Sequence, residues 1–183
     1  MSAAYDYVIV GAGTAGCVVA SRLAEGGARV LLLEAGGSDR TLYIQLPIGY
    51  GRTFFDPRIN WMYDTQSVPG LGGRTSYWPR GKVVGGSGSI NAMVHVRGQP
   101  HDFDDWRSSG NVGWGWDDVL PYFIKAEDSD IAEPGWRGQG GPQHVTDISA
   151  KVHPLCHRFI AAGAALGLPA SPDFNGSAGE GLG

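Results

Sequence analysis

Three glycines and one acid near the start of the chain are spaced for phosphate and ribose chemistry. Val8 to Gly37 reads VIVGAGTAGCVVASRLAEGGARVLLLEAGG. Gly11, Gly13 and Gly16 form a G-x-G-x-x-G pattern that encloses Thr14 and Ala15. The first glycine permits a tight strand-to-helix turn, the second lets backbone approach a pyrophosphate, and the third lets the helix lie close on its strand. A helix starting there offers free N–H groups and a positive dipole end to phosphates. Glu34, followed by Ala35, comes about 20 residues later, where an acid accepts both ribose hydroxyls of an adenosine and repels a 2′-phosphate.

The elements that must hold these residues are a strand, a helix and a second strand. Tyr5 to Val10 and Arg29 to Leu33 read as short buried strands. Ala20 and Leu23 continue the packing face of the helix between them, Cys17 is expected to face inward, and Gly26-Gly27 ends the helix. This βαβ unit places the adenosine half of FAD and of NAD alike, so it does not choose between them. Residues that touch the redox ring must do that.

A second glycine cluster, Gly85-Gly86-Ser87-Gly88-Ser89, sits between apolar Val83-Val84 and Ile90. It then runs into Met93-Val94-His95-Val96, which reads as a strand. A Gly/Ser stretch wedged between buried segments suggests backbone packed against a flat or charged ligand, although a flexible linker has the same composition.

Here the sequence resembles a known family. Gly81-Lys82, Val84-Gly85-Gly86-Ser87, Ile90-Asn91, Gly98 and Asp104 resemble the first signature of the glucose–methanol–choline (GMC) oxidoreductases, FAD-dependent alcohol oxidases and dehydrogenases. The first nucleotide unit, Asn60-Trp61 and the run WGWDDVLPYF from Trp114 to Phe123 resemble the same family's N-terminal region. The likeness implies an α/β, Rossmann-like FAD-binding fold. It also implies that Gly11, Gly13, Thr14, Ala15, Gly16, Glu34 and Ala35 serve the ADP half of FAD. Val83, Gly85, Gly86, Ser87, Asn91, Ala92, Met93 and Val94 would line its pyrophosphate and isoalloxazine end, and Trp61 would join the cofactor-binding set. The family position matching Asn91 carries either Asn or a His that can link covalently to the flavin, so Asn91 implies non-covalent FAD. His95 departs from the family pattern, which has an aromatic residue or Ala. It is expected to be a hydrogen-bonded core histidine, the alternative being a place near the flavin.

The rest of the chain divides by composition. Residues 1–36 are the ADP-binding unit, 41–77 a proline- and aromatic-rich, lid-like extended segment, 78–98 the flavin-contacting Gly/Ser loop, and 99–183 helices and loops. Phe54, Phe55, Trp61 and Tyr63 are expected in the core. His101 to Ser108 and Asp117 to Ala126 read as helices, with Asp117 the N-cap and Pro121 in the first turn. Asp102, Asp104 and Asp105 read as a solvated helix start, Ile131 to Pro142 as a surface loop, and Pro154 to Leu166 as an Ala-rich helix. His153, Cys156 and His157 lack a fourth ligand for zinc. The tail from Ser171 to Gly183 is turn-like.

The net charge of −4, with 14 basic and 18 acidic residues and no basic run, gives no reason to expect nucleic acid. No apolar stretch approaches the roughly 20 residues that span a bilayer. Met1 to Tyr7 has no charged leader region, and Cys17 and Cys156 read as free thiols, so a cytoplasmic location is expected. The expected function is the FAD-binding portion of a flavin-dependent alcohol oxidase or dehydrogenase, with a small-molecule alcohol as substrate and the C-terminal remainder of the same enzyme as partner. By resemblance the catalytic base is a downstream His, so no catalytic residue is assigned in this chain. The alternative is a non-catalytic dinucleotide-binding module.

Overall fold

The computed structural model describes residues 4–183, which fall into two compact units dividing between Val94 and His95. The first unit opens with strand β1 (Tyr7–Val10), helix α1 (Thr14–Glu25) and strand β2 (Val30–Leu33). The strands are parallel, with Tyr7 opposite Val30 and Val10 opposite Leu33. Parallel strands need a crossover, which α1 supplies. Gly11 at φ 97° makes the turn into the helix and Gly27 at φ 87° the turn out of it, both in a region where a side chain is strained.

The strands are not buried as expected: Val8 is 57% and Val10 84% exposed. A parallel sheet needs cover on both faces, and this one has two strands with α1 packed against them. Cys17 is also exposed rather than inward. Helical side chains lean toward the N-terminus, which brings its thiol over the Ala12 carbonyl, to which it donates at 3.3 Å. Both cysteines are free.

The prolines and glycines after β2 leave mainly short elements: helices α2 (Leu42–Gln45) and α3 (Tyr50–Thr53), and the antiparallel pair β3 (Tyr63–Asp64) and β4 (Tyr77–Trp78). The small core of this unit is Ile59, Val83 and Ile90, with Ile44 packed against it. Phe54 is partly buried, but Phe55, Trp61 and Tyr63 lie at the surface rather than in the core. They stack in pairs, Phe55 on Tyr77 at 5.6 Å and Trp61 on Tyr63 at 5.8 Å, so each ring shields one face of its neighbour and leaves other surface to water.

The second unit contains α4 (Pro100–Ser108), α5 (Trp116–Ala126), the parallel pair β5 (Glu127–Ser129) and β6 (Gln143–Val145), and α6 (Pro154–Ala165). Its acids cap helices. Asp102 accepts the Gln99 N–H at 2.7 Å, and Asp104 accepts the Trp116 N–H at 3.1 Å. The N-cap of α5 is Gly115, whose N–H reaches Asp118 at 3.0 Å, so the acid three residues on replaces the expected Asp117 cap. Pro121 lies inside the helix rather than in its first turn. His153 caps α6, its Nδ1 accepting the Leu155 N–H at 3.2 Å. Phe103, Trp116 and Phe123 pack with ring centroids 5.6–6.2 Å apart, and Trp136 joins Trp116 at 5.8 Å.

A charged cluster crosses this unit. Glu127, 1% exposed, accepts from Arg97 Nη2 and Arg137 Nε at 2.8 Å each and from the Gly138 N–H at 3.0 Å, and its other oxygen lies 3.1 Å from His95 Nε2. Burial pushes the Glu127 carboxyl up, but the Gly138 N–H and the two guanidinium groups outweigh it and hold the group below the ordinary carboxylate value. Asn175 takes the Arg97 N–H at 2.7 Å and donates to the His95 carbonyl at 2.8 Å. Two expectations change here. Residues 131–142 are no mere surface loop, because Arg137 and Gly138 are buried. Residues 93–96 are not a strand, because Met93 turns left-handed at φ 61°. His95 is a half-buried, hydrogen-bonded histidine, also 3.1 Å from Gln143. No helix among the described residues is long and apolar enough to cross a membrane.

Candidate functional site

The first unit brings the two glycine clusters together. The Gly85 N–H donates to the Ala12 carbonyl at 2.7 Å, and Gly13 and Gly85 form a parallel bridge. The segment from Arg80 to Gly85 is threaded through the unit by its backbone. Trp61 N–H bonds the Arg80 carbonyl, Lys82 N–H the Ile59 carbonyl, and Val84 N–H the Gly37 carbonyl, at 2.8, 2.8 and 2.9 Å. Burial of Val83, which is fully enclosed, fixes the depth of this thread. The thread then closes a 3-10 turn over Gly86–Ser89 beside the start of α1.

The contacts require bare backbone. A Cβ on Gly86 would lie 2.8 Å from Gly13 Cα, and Gly86 itself sits at φ 58°. A Cβ on Gly16 would meet the Gly11 carbonyl oxygen at 1.9 Å, which is the close helix–strand approach expected of the third glycine. Beside Gly11 and Gly37 a Cβ would meet only open space. The turn is therefore tight where it packs on protein and open elsewhere. Thr14, Ala15 and Gly16 form the first turn of α1, whose N-cap Gly13 brings no side-chain cap. Such a helix end presents N–H groups without intrahelical partners.

Glu34 braces this turn. One carboxylate oxygen accepts the Ala12 N–H at 2.7 Å and the other the Gly36 N–H at 2.8 Å. Each oxygen has two lone pairs, so each retains capacity for a hydroxyl after taking its backbone donor. Ala35 is exposed beside it. Ser87 Oγ accepts the Gly81 N–H at 3.0 Å, and Ser89 Oγ donates to the Val84 carbonyl at 2.9 Å, so the hydroxyls hold the second loop in shape.

Asn91, Ala92, Met93 and Val94 follow as an exposed segment. Asn91 and Met93 line a cavity of about 240 Å³ with Gly88, Ser89, Asp39, Tyr43 and Tyr50 among the other lining residues. Trp61 is half-exposed and carries Lys82 Nζ 4.8 Å above its ring. In a second cavity, Asp56 pairs with Arg58, whose hydrogen bonds lower the carboxyl to about 2.

The structure joins Gly13, Gly85 and Gly86 directly and Glu34 through Ala12, and Asn91 and Met93 line the cavity, whereas Ala92 and Val94 are exposed without lining it; two further qualifications hold. The side chain of Val83 packs in the core, so its part is to anchor the loop. Trp61 is tied to the thread through Arg80 and Lys82 and is not among the residues lining the 240 Å³ cavity. The sequence reading missed Gly36, where a Cβ would lie 2.0 Å from the Lys82 carbonyl oxygen, and the cavity residues Asp39, Tyr43 and Tyr50. A second glycine pair two residues after the acid was a signal for Gly36; nothing in the spacing of the other three marked them.

Bare backbone at a helix start, an acid at the end of β2 and open space beside the first glycine fit a dinucleotide such as FAD. Comparison with known proteins agrees. The GMC oxidoreductase family model matches residues 5–183. The chain is 44% identical over 185 residues to an oxygen-dependent choline dehydrogenase of Photobacterium profundum, covering 100% of this chain and 33% of that protein. It superposes on the crystal structure of a pyridoxine 4-oxidase from Mesorbium loti with TM-score 0.83 at 40% identity, covering 94% of this chain and 34% of the other. An FAD-dependent oxidoreductase from Chaetomium thermophilum matches with TM-score 0.72 at 32% identity, covering 93% and 31%. The chain spans about a third of the length of these relatives. With its α/β fold and FAD as cofactor, the chain belongs to the GMC oxidoreductase family as part of the N-terminal FAD-binding domain.

Proposed function

We propose that this chain is the FAD-binding portion of an enzyme that oxidises a CH–OH group of a small-molecule alcohol. The observation that carries the reading is the docking of the second glycine loop on the first, Gly85–Gly86 on Ala12–Gly13. The two motifs can then act on one ligand. Gly11, Gly13, Thr14, Ala15 and Gly16 offer backbone and a helix start to the pyrophosphate, and Glu34, with Ala35 alongside, accepts the ribose hydroxyls. Gly85, Gly86, Ser87 and the segment Asn91–Val94 face the redox end, with Val83 and Trp61 supporting them.

FAD, when bound, supplies the acceptor for a hydride leaving the alcohol carbon. The residues here bind and orient it. Choline and pyridoxine, named in two relatives, both carry a CH2–OH group, which supports the substrate class. The base that removes the hydroxyl proton is assigned to the remainder of the enzyme, because none of the five histidines stands in a motif for it. The flavin is held non-covalently, since Asn91 offers no nucleophile for a link.

The test is the full-length protein. It should show two flavin bands in the blue and near ultraviolet, release the flavin into the supernatant on acid precipitation, and turn over members of an alcohol panel with an artificial electron acceptor. A yellow pellet refutes the non-covalent assignment. Nucleotide binding without flavin bands points instead to a non-catalytic dinucleotide-binding module.

A further inference from the structure

Among the described residues two non-glycine residues have left-handed backbone: Met62 at φ 53° and Met93 at φ 61°. Each stands two positions after an asparagine, in Asn60-Trp61-Met62 and Asn91-Ala92-Met93. In both, the asparagine Oδ1 accepts the methionine N–H, at 2.8 Å and 2.7 Å. An Asn side chain that bonds backbone two residues on closes a local turn that competes with regular structure. A left-handed L-residue costs about 1–2 kcal/mol and persists where its surroundings impose it. The same device therefore occurs twice, once around Trp61 and once in the 91–94 segment, both proposed to serve the cofactor.

The two copies differ in what the rest of the asparagine does. Asn60 is 2% exposed. Its Nδ2 donates to the Thr53 and Phe54 carbonyls, and its Oδ1 also takes the Arg80 N–H. Its capacity is used inside the protein, so this copy holds the fold. Asn91 is exposed and lines the 240 Å³ cavity together with Met93. Its hydrogen bond to protein is the one from Met93. Because Oδ1 is committed there, the amide has one orientation, and its Nδ2 has no hydrogen-bond partner among the described residues.

We propose that Asn91 is a positioning residue. By clamping Met93 in the left-handed turn it sets the path of the 91–94 backbone along the cavity wall, and hence the surface offered to the flavin. This rests on the FAD-binding reading above. Asn91→Ala removes the clamp and lets Met93 relax to negative φ. Met93→Gly removes the need for the clamp, since glycine adopts positive φ freely.

The experiment uses the full-length flavoprotein as wild type, Asn91→Ala, Met93→Gly and the double variant. The FAD dissociation constant of the deflavinated proteins is read by fluorescence titration, and the flavin bands of the loaded proteins by absorbance. Asn91→Ala should weaken FAD about tenfold and shift the flavin bands. Met93→Gly, which also removes a side chain of the cavity wall, sets the reference: the double variant should bind FAD as Met93→Gly does and more tightly than Asn91→Ala. Thermal melting separates the twins: Asn60→Ala should lower Tm clearly, Asn91→Ala little. FAD binding by Asn91→Ala equal to wild type, or a double variant as weak as Asn91→Ala, overturns the proposal. Should Asn91→Ala not fold, the double variant decides alone: it must fold and bind FAD, and its failure overturns the clamp. A wild type that binds no FAD removes the FAD reading and this proposal with it. Wild-type binding without rescue removes this proposal alone.

Discussion

Gly86→Ala is the smallest change that tests whether the contact between the two glycine loops builds the site. At φ 58° an L side chain costs about 1–2 kcal/mol by backbone strain. Its Cβ would stand 2.8 Å from Gly13 Cα, a backbone atom, where carbon atoms normally rest about 3.5–4.0 Å apart. The loops must therefore separate by roughly 1 Å, and the tether between them is the 2.7 Å bond from Gly85 N–H to the Ala12 carbonyl. Stretching that bond out of range forfeits about 1 kcal/mol net. The sum, roughly 2–3 kcal/mol, corresponds to a loss of FAD affinity of about 30- to 150-fold if the strain is relieved by opening the site. The assay is FAD titration of the deflavinated full-length protein, with Tm measured in parallel. Gly51→Ala is the control, because a Cβ there meets open space within a helix, and it should leave FAD affinity unchanged and not lower Tm. A Gly86→Ala protein with wild-type FAD affinity and wild-type Tm would refute the argument that this contact shapes the cofactor site.

Two further outcomes follow from Glu34 and Glu127. Glu34→Ala removes the acceptor for two backbone N–H groups and for the proposed ribose contact, at about 1.5–3 kcal/mol for each charge-assisted bond, so FAD affinity should fall at least about tenfold; unchanged FAD retention after dialysis excludes the role. Glu127 is held below the ordinary carboxylate value while facing His95, Arg97 and Arg137, with Asp173 bonded to Arg137. A lowered folded value means that its stabilisation is present above the ordinary carboxylate pKa and is lost as pH falls through the folded one. Glu127→Gln should cost about 3–5 kcal/mol near neutral pH by leaving the buried Arg97 guanidinium without its carboxylate, while Arg137 keeps Asp173, and should flatten the acid limb of Tm against pH. An acid limb as steep as that of the wild type counts against this cluster as its source.

The βαβ unit was legible in the sequence because its signals are local. A glycine pattern directly after an apolar run, a helix-length spacer closed by Gly26-Gly27 and an acid ending the second run each act within a few residues. The capping of α4 and α5 was legible only in part. Asp118, three residues past Gly115, satisfies the helix start better than Asp117, a choice made by geometry within a single turn. What the chain could not announce is where distant segments meet. That Gly86 rests on Gly13, that Gly36 leaves room for the Lys82 carbonyl, and that Asn60 takes the Arg80 N–H are pairings across long separations. The same is true of Glu127, whose partners at Arg97 and Arg137 come from loops without periodic pattern. The exposure of Val8 and Val10 was misread because apolar strands imply cover without saying which segment supplies it. Residue types and short spacings determined the βαβ unit and the candidate nucleotide-binding positions of this protein. The tertiary structure decided the wall of the site, because close backbone contact and buried charge depend on which surfaces the folded chain brings into reach.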